Sequence, residues 1–457
     1  MQESRRGRNA LGGLFYNPRL RKTECGDSTG RRDAWYVVPK AGRTAAWQDG
    51  RVSGVASGSS KISIREWAAI ISIAATAFVF NTSEFMPIGL LVDISADFGV
   101  NEATGGVLIT AYAWAVCILS VPLMVATSRF GFRSLLLAVV AVFGVGQLCS
   151  ALAPGYWSLM GARLIVACAH AIFWSIAPSI AARVVSVEHR SVALSAIVTG
   201  SAVAQILGLP LGRVIGLALG WRMSFASIAA VTAVVLVVLL IAVPKMSAGE
   251  PFKVGQLPDL VKNPVLLSLF VCTAVMATAY YTGYSYVEPF LQQVGGLPDD
   301  AITSSLMTFG VAGIIGSFLF ARFYVGQRRR FWYVRVALAG VALALALMFA
   351  AALAGEAAVL AVFVLWGICG TTFNVAFQSE ILRFAPPQGA AVATAIFSGI
   401  FNLGIGSGSA VGGAVSTSLG MGAVCFAGAL IGVVGVAIAC VFLIPAMRRT
   451  KPAEQQA

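Results

Sequence analysis

Long apolar runs are the feature that most constrains how this chain can fold. Twelve of them follow one another from residue 67 onward, and a helix needs about 20 mostly apolar residues to cross a bilayer. Hydrophobic residues make up 58% of the 457 and charged residues 11%, far from the balance of a soluble domain. The sequence therefore predicts an all-α membrane protein. The predicted spans are 67–92, 104–126, 134–153, 157–182, 192–219, 223–243, 264–291, 301–321, 334–354, 357–380, 389–417 and 421–446.

The charges between the runs predict the orientation of the chain. Basic residues follow spans two, four, six, eight and ten, whereas the other connections are mainly acidic. Because Lys and Arg stay on the cytoplasmic side, we expect both termini to be cytoplasmic. This distribution also argues against a nucleic-acid partner, despite the net charge of +13. The basic set is Arg129, Arg133, Arg183, Arg190, Lys245, Lys253, Lys262, Arg322 to Arg335 and Arg383, and the acidic set is Asp93, Asp97, Glu102, Asp299, Asp300 and Glu356.

The chain is predicted to contain two helical bundles and three polar segments. Residues 1–62 are rich in Gly, Arg and Ser and have no sustained period, so we expect a disordered cytoplasmic tail and a true translation start further downstream. The charged stretch 244–263 is a cytoplasmic linker in this scheme. It separates bundles of six helices at 63–243 and 264–446, and a second cytoplasmic tail follows at 447–457.

The two halves of the chain echo each other. Glu84 in span one and Glu288 in span seven each lie next to or near a proline and are 204 residues apart. Gly208 in span five and Gly412 in span eleven are also 204 residues apart. These matches predict two repeats related by an axis along the membrane normal.

Several classes of function are disfavoured by what the sequence lacks. The eight cysteines form no C-x-x-C pair and the histidines do not cluster, so neither a metal site nor a cofactor is predicted. A free cysteine in an apolar run packs as a small hydrophobic residue. No P-loop or catalytic triad pattern occurs, which argues against an ATP-driven pump and against an enzyme.

Five stretches carry a family resemblance over nearly the whole chain from about residue 65. They are FNTSEFMPIGLLVDI (80–94), AHAIFWSI (169–176), GLPLGRVIG with GWR (208–222), YSYVEPF (284–290) and FSGIFNLGIGSGSAVGG (397–413). They resemble the major facilitator superfamily, specifically its twelve-helix proton antiporters of the bacterial sugar-efflux type. The resemblance implies two six-helix bundles around a central cavity and export of small solutes against inward proton flow.

Two short patterns resemble parts of the family that act in conformational change. The loop VATSRFGFR (125–133) retains the basic residues of the family pattern G-x-L-A-D-R-x-G-R-R, but Ser128 replaces its aspartate. A charge-relay lock that uses this aspartate is therefore in doubt. The glycines and proline of span five resemble the antiporter signature and would shape a moving interface. The residues of these two patterns are Arg129, Gly131, Arg133, Gly208, Pro210 and Gly212.

Ionisable residues inside a span are costly and are functional candidates by default. Counting 1.5 Å per residue places Glu84 roughly 24 Å into span one and Arg163 roughly 9 Å into span four from the other side. In a core of about 30 Å these depths agree, so we expect a Glu84–Arg163 ion pair. Burial favours a neutral carboxyl group and arginine favours a charged one, which suits Glu84 to proton coupling. A static ion pair is the alternative.

Side-chain chemistry predicts the lining of a solute cavity. His170 and Trp174 share a helix face with Arg163, and we expect His170 to join the proton pathway, with a packing role as the alternative. Hydroxyl and amide groups suit a polyol, because they pair without charge. For the tyrosines, Glu288 and Arg213, positions at the membrane interface are the alternatives. The predicted lining is Asn81, Thr82, Trp174, Gln205, Tyr284, Glu288, Asn374, Gln378 and Asn402.

The sequence thus predicts a monomeric transporter of the bacterial inner membrane whose partners are lipids, protons and a small solute. Proton-coupled efflux of sugars or sugar analogues is the favoured function. Multidrug, nucleoside or metabolite efflux by the same machinery is the first alternative. A non-transporting membrane sensor is the second, but the mid-membrane titratable residues and the doubled repeat argue against it.

Overall fold

All regular secondary structure in the described part of the chain is helical. In the computed structural model the described residues are 62–246, 260, 262–324, 327–386 and 389–450. The predicted tail at 1–62 therefore lies outside them except for its last residue, as do most of the predicted linker and the chain end from residue 451.

Twelve helices, α1 to α12, follow the twelve predicted spans in these residues. Eleven are long and apolar enough to cross a membrane, whereas α5 is divided into shorter pieces by a π-helical turn. The helices are α1 Ile64–Asp97, α2 Glu102–Thr127, α3 Phe132–Ala151, α4 Tyr156–Ala181, α5 Arg190–Val203 with Ala204–Gly208 and Leu209–Leu219, α6 Trp221–Ala242, α7 Pro264–Gln293, α8 Asp299–Phe323, α9 Gln327–Ala354, α10 Glu356–Phe384, α11 Ala390–Leu419 and α12 Met421–Arg449.

Local sequence explains where α1 begins and where it changes shape. Ser63 and Glu66 form a capping box, in which the Ser63 hydroxyl accepts from the Glu66 amide and the Glu66 carboxylate accepts from the Ser63 amide. Pro87 lies in the stretch Met86–Leu90, where α1 tightens into a 3₁₀ turn before continuing. Proline lacks an amide proton, so a regular α-helical hydrogen bond is missing at this point.

Successive helices run in opposite directions, so their ends collect at two faces. We call the face that carries Ile64 and Arg449 the termini face, and the other the opposite face. At the opposite face Gly220 joins α5 to α6 and Gly420 joins α11 to α12 as single residues with φ of 89° and 86°. Only glycine adopts this backbone conformation without strain, and the two turns occupy equivalent places in the two halves.

The buried side chains form two large hydrophobic clusters, one within α1 to α6 and one centred on α7 to α12. Three helix pairs of the described residues connect the halves: α2 packs on α11, α5 packs on α8, and the end of α1 packs on α7. A few side chains of the first half belong to the second cluster, among them Phe85 and Ile88 of α1. The end of α1 is therefore shared between the two halves.

A glycine seam holds α5 against α1, and the same seam recurs in the second half. A side-chain carbon at Gly200 or Gly208 would collide with α1, at Ala74 or Thr82, which lie 126 residues earlier. In α11, Gly408 is pressed against Thr282 of α7, again 126 residues earlier. Small residues let membrane helices approach closely, and the shared spacing reflects the internal repeat.

We expect Gly408→Ala to destabilise the protein by about 1–3 kcal/mol, because overpacked sites cost this much. The new Cβ would lie 2.6 Å from the Thr278 carbonyl oxygen and 2.8 Å from the Thr282 amide nitrogen, and backbone atoms cannot swing aside. Gly399→Ala is the matched control on the same helix, since nothing lies within 4 Å of its added carbon. Thermal unfolding of the purified variants in detergent measures the difference, and equal melting temperatures would contradict the seam.

Candidate functional site

A buried polar cluster surrounds Glu84 inside the first half. Glu84 lies in the last α-helical turn of α1 and is only 7% exposed. Its Oε2 lies 3.7 Å from Nε2 of His170 on α4, and its Oε1 has no hydrogen-bond partner. A buried carboxyl oxygen without a partner is costly, so the group is suited to accept a proton or a polar ligand there.

Tyr112 of α2 orients the histidine. Its hydroxyl lies 2.9 Å from Nδ1 of His170, which leaves Nε2 directed at the carboxyl group of Glu84. The rings of Phe80 and Trp174 flank the imidazole, with centroids 5.9 and 6.2 Å away. The histidine is therefore held by one polar contact and two aromatic walls.

Arg163 does not pair with Glu84 in this structure, contrary to our expectation. Its guanidinium donates to the Ser83 hydroxyl at 2.9 Å and to the Ser83 carbonyl at 3.0 Å, and it stacks on the Tyr112 ring at 4.4 Å. Gln147 of α3 donates to the same hydroxyl. Ser83 adjoins Glu84 in the chain, so Arg163 stays close to the carboxyl group while its bonds go to a neutral neighbour.

Sequence reasoning missed three members of this cluster. Ser83, Tyr112 and Gln147 are all buried, at 0%, 2% and 0% exposure. They are neutral, so the cost of burying charge did not mark them, and two of them lie on helices for which no ionisable residue had been found. A polar side chain within an apolar span was the available signal.

The predicted cavity residues of the first half lie near this cluster. The Asn81 amide donates to the Ser201 hydroxyl of α5. The buried hydroxyl of Thr82 has no partner and lies against Gly208. Trp174 is half-buried beside His170. The side chain of Gln205 lies outside the described part of the structure.

A cavity of about 80 Å³ lies in the second half, with room for several water molecules or part of a small solute. Aromatic rings form most of its wall, and the polar groups in it are hydroxyls and one amide. Of the residues predicted for a cavity in this half, Asn374 lines it. The lining residues are Phe85, Tyr280, Tyr281, Phe309, Gly310, Gly313, Ser317, Gly370, Thr371, Phe373, Asn374 and Phe401.

The other predicted residues of the second half are not among these lining residues. Tyr284 packs behind the wall, with its ring 5.1 Å from Phe309 and 5.8 Å from Trp366. Gln378 is exposed. The amide of Asn402 donates to a carbonyl of its own helix at 3.1 Å, and its oxygen has no hydrogen-bond partner.

Glu288 and Arg213 are paired across the two halves, which corrects two expectations. Arg213, for which a position at the membrane interface was the alternative, is fully buried at 0% exposure among residues of both halves. Glu288, at 2% exposure, is neither solvated nor part of the cavity wall, and it forms an ion pair with Arg213. The Glu288 carboxylate also accepts from the Val92 amide of α1 at 3.3 Å.

The contacts of Arg213 link α5 to α7 and α8, and we call this set of contacts the Arg213 clasp. Arg213 also pairs with Asp299 at 2.8 Å and donates to the Thr303 hydroxyl at 3.2 Å. Nearby, Gln293 of α7 donates to Glu102 of α2 at 2.9 Å. These contacts all join the first half to the second at the opposite face, so that face is closed.

At the termini face, several polar contacts lie within one half. Arg133 donates to the Leu240 carbonyl at 2.7 Å, and a side chain at Gly131 would meet the Met246 carbonyl. This ties the loop after α2 to the end of α6. Arg129 in the same loop is exposed.

In the second half, two buried residues and the half-buried Tyr324 occupy the corresponding end. Arg330 pairs with Glu380 at 2.9 Å, and the Tyr324 hydroxyl donates to the same carboxylate. Burial, followed by the nearby negative charge of Glu380, raises the pKa of Tyr324 well above its usual value, so this hydroxyl stays protonated and donates.

Two of the residues in the predicted conformational patterns of α5 lie on the seam with α1. Gly208 contacts Thr82, and Gly212 contacts Met86. Pro210 lies in the first turn of the helical piece that follows the π-helical turn. Among the described residues, no group of three or more His, Cys, Asp or Glu side chains is arranged to hold a metal ion.

The chain is similar in sequence to one large transporter family and in fold to several of its solved members. The profile of the Major Facilitator Superfamily matches residues 73–398. A bacterial homologue of the human lysosomal transporter Spinster, solved in an inward-facing and occupied conformation, is 17% identical with a TM-score of 0.66, over 85% of this chain and 98% of that chain.

Two further solved structures share the fold at low identity. A variant of the peptide transporter POT is 13% identical with a TM-score of 0.67, over 83% of this chain and 94% of that chain. The human organic anion transporter TETRAN is 13% identical with a TM-score of 0.59, over 82% of this chain and 98% of that chain.

Two sets of six helices, buried ionisable residues and these similarities define an integral, multi-pass membrane transporter. The chain belongs to the major facilitator superfamily, since the family profile matches well over half of it. The predicted fold class is confirmed, and the protein is a solute transporter that works by alternating access rather than an enzyme.

We expect Glu288→Gln to weaken closure of the opposite face, because removing one partner of a buried ion pair costs roughly 3 kcal/mol. Asp97→Asn is the matched control: its exposed pair with Arg222 at 2.6 Å lies at the same face within one half and is worth less than about 1 kcal/mol.

Labelling of Ser409→Cys by a membrane-impermeant maleimide measures this closure, since Ser409 is buried and donates across the interface to the Gly106 carbonyl. In a background without other reactive cysteines, the rate should rise about tenfold or more with Glu288→Gln. An unchanged rate, or an equal rise with Asp97→Asn, would show that the clasp does not hold the face shut.

Proposed function

We propose that the protein exports small solutes, with sugars or sugar analogues as the substrate class, in exchange for protons across the bacterial inner membrane. The observation that carries this proposal is the carboxyl group of Glu84, which is buried, half unpaired and surrounded by Tyr112, Arg163 and His170. An ionisable group buried within a membrane span is costly, and a role in proton transfer explains why it is present.

The change in charge at Glu84 couples proton binding to the conformation of the protein. As a carboxylate, Glu84 attracts Arg163, and also His170 when the imidazole is protonated. A protonated Glu84 loses that attraction, and the bonds of Arg163 to Ser83 can then hold alone. The two protonation states therefore favour different placements of α1 against α4. Such a difference in interaction energy is what a ligand needs in order to shift a conformational equilibrium.

The predicted topology and the contacts at the opposite face support export as the direction of transport. The Arg213 clasp links the halves at the opposite face, whereas the contacts of Arg133 and of Arg330 at the termini face each lie within one half. The similar Spinster homologue was solved facing inward. With the basic loops in the cytoplasm, solute enters from the cytoplasm and leaves when the clasp opens. A single chain contains both halves and acts as a monomer.

Neutral hydroxyl and amide groups support a sugar-like substrate. Asn81, Thr82 and Asn374 offer donors and acceptors without charge, and aromatic rings offer faces on which a sugar ring can stack. The aromatic wall of the cavity in the second half favours a second candidate, a lipophilic drug or a nucleoside. Among the described residues that line that cavity none is acidic, so a neutral ring is its best-matched occupant in either case.

Accumulation in cells that overproduce the protein tests the function directly. Labelled sugars and labelled drugs are supplied in parallel, with and without a protonophore. We expect lower intracellular sugar in the overproducing cells, and we expect the protonophore to abolish the difference, since it collapses the proton gradient. Reduced accumulation of the drugs alone would favour the second candidate. No change for any compound would overturn export.

We expect Glu84→Gln to reduce pH-driven transport in vesicles by about tenfold or more, since it removes the proposed proton carrier from the membrane interior. Glutamine keeps the size of the side chain but cannot titrate. Glu356→Gln is the matched control, an acidic residue at the start of α10 whose carboxylate accepts from Ser304. Full pH-driven transport in Glu84→Gln would leave Glu84 with a packing role only.

A further inference from the structure

Phe85 stands at the junction between the polar cluster and the cavity. The preceding residue, Glu84, faces the polar groups of the first half, whereas the ring of Phe85 belongs to the hydrophobic cluster of the second half. That ring stacks on Tyr281 of α7, with centroids 6.3 Å apart and an angle of 13° between the planes. One peptide bond therefore connects the two environments.

The cavity depends on Phe85 for its contact with the first half. Of the described residues that line it, Phe85 alone comes from α1 to α6. The remaining wall comes from α7, α8, α10 and α11, and it includes Tyr281 and Phe401, whose rings pack edge to face at 6.0 Å. A shift of Phe85 would therefore change the size of the cavity without moving the second half.

The backbone at this point is suited to such a shift. Regular α-helical structure ends at Phe85, and the 3₁₀ turn Met86–Leu90 with Pro87 follows. A short 3₁₀ stretch within a longer helix has weaker hydrogen bonds and often marks a hinge. Glu84 and Phe85 both precede this hinge, so a displacement of Glu84 also moves Phe85.

The charged and titratable groups that face Glu84 come from three other helices. His170 and Arg163 lie on α4, Tyr112 on α2, and Tyr281 on α7. Tyr281 is the one among them that also lines the cavity. The environment of Glu84 and the wall of the cavity thus share Tyr281 as well as the adjoining Phe85.

We propose that Phe85 is the positioning residue that links the protonation of Glu84 to occupancy of the cavity, an inference that rests on the proposed proton coupling. When Glu84 gains or loses its proton it moves relative to His170, and the ring of Phe85 moves along Tyr281. A neutral ring-shaped solute in the cavity packs against Phe85 and resists that movement. The proton and the solute then influence each other without sharing a contact.

Thiol labelling inside the cavity tests this link without a known substrate. Ser317 lines the cavity, and Ser317→Cys changes one atom in a background without other reactive cysteines. N-ethylmaleimide labelling is measured on either side of neutral pH, with each rate normalised to that of the same cysteine in denatured protein. We expect the normalised rate to change with pH by about fivefold or more, the lower end of typical coupling between two sites.

Four variants separate the link from the proton site and from the shape of the cavity. Glu84→Gln should abolish the pH dependence. Phe85→Leu should also abolish the pH dependence, whereas Phe85→Tyr, which keeps the ring, should retain it. Phe373→Leu is the matched control, since Phe373 lines the same cavity but its ring packs on Phe377 and Phe401, and the variant should retain the pH dependence.

The outcomes are distinct. Wild-type pH dependence in Phe85→Leu, together with its loss in Glu84→Gln, would overturn the role of Phe85 and leave proton coupling standing. A rate that is independent of pH in the parent protein, or unaffected by Glu84→Gln, would overturn proton coupling itself. Equal loss in Phe373→Leu would show that the cavity as a whole, and not Phe85, carries the effect.

Discussion

A charge inside a bilayer needs partners that the protein itself supplies, and the working parts of this transporter are arranged around that need. Arg163 finds them within one half, on Ser83 and the ring of Tyr112. Arg213 finds them across the halves, on Glu288 and Asp299. The first arrangement can persist while the halves move, whereas the second must break each time the opposite face opens.

Close helix packing makes each half a unit that can move as one. The seams of α5 on α1 and of α11 on α7 press glycine against backbone, as at Gly200 with Ala74 and Gly408 with Thr282. Such contacts leave little room for sliding between α1 and α5 or between α7 and α11. Movement is then directed to the places where the halves meet, at α2 with α11, at α5 with α8 and around the end of α1.

The sequence anticipated much of the fold and part of the site. The twelve spans and the repeat spacing followed from hydrophobicity and residue types, and helix rise placed Glu84 and Arg163 at one level. Helix rise gives depth but not the direction in which a side chain points around the axis. For this reason the expected ion pair was wrong, and Arg163 donates to Ser83 instead. The contact of Glu288 with Arg213 was not predicted for the same reason.

By itself the sequence determined that the chain is a multi-span helical membrane protein with two related halves, because apolar length and charge placement are local properties that the bilayer constrains. It also marked Glu84, Arg163 and Arg213 as charges that are costly to bury, although it did not mark the buried pair of Arg330 and Glu380. Only the tertiary structure decided which groups stabilise these charges and that the opposite face is the closed one. It also decided that Glu84 contacts residues of the first half, whereas Phe85 packs in the hydrophobic cluster of the second. Those outcomes depend on how helices far apart in the chain pack side by side, and no local pattern records that packing.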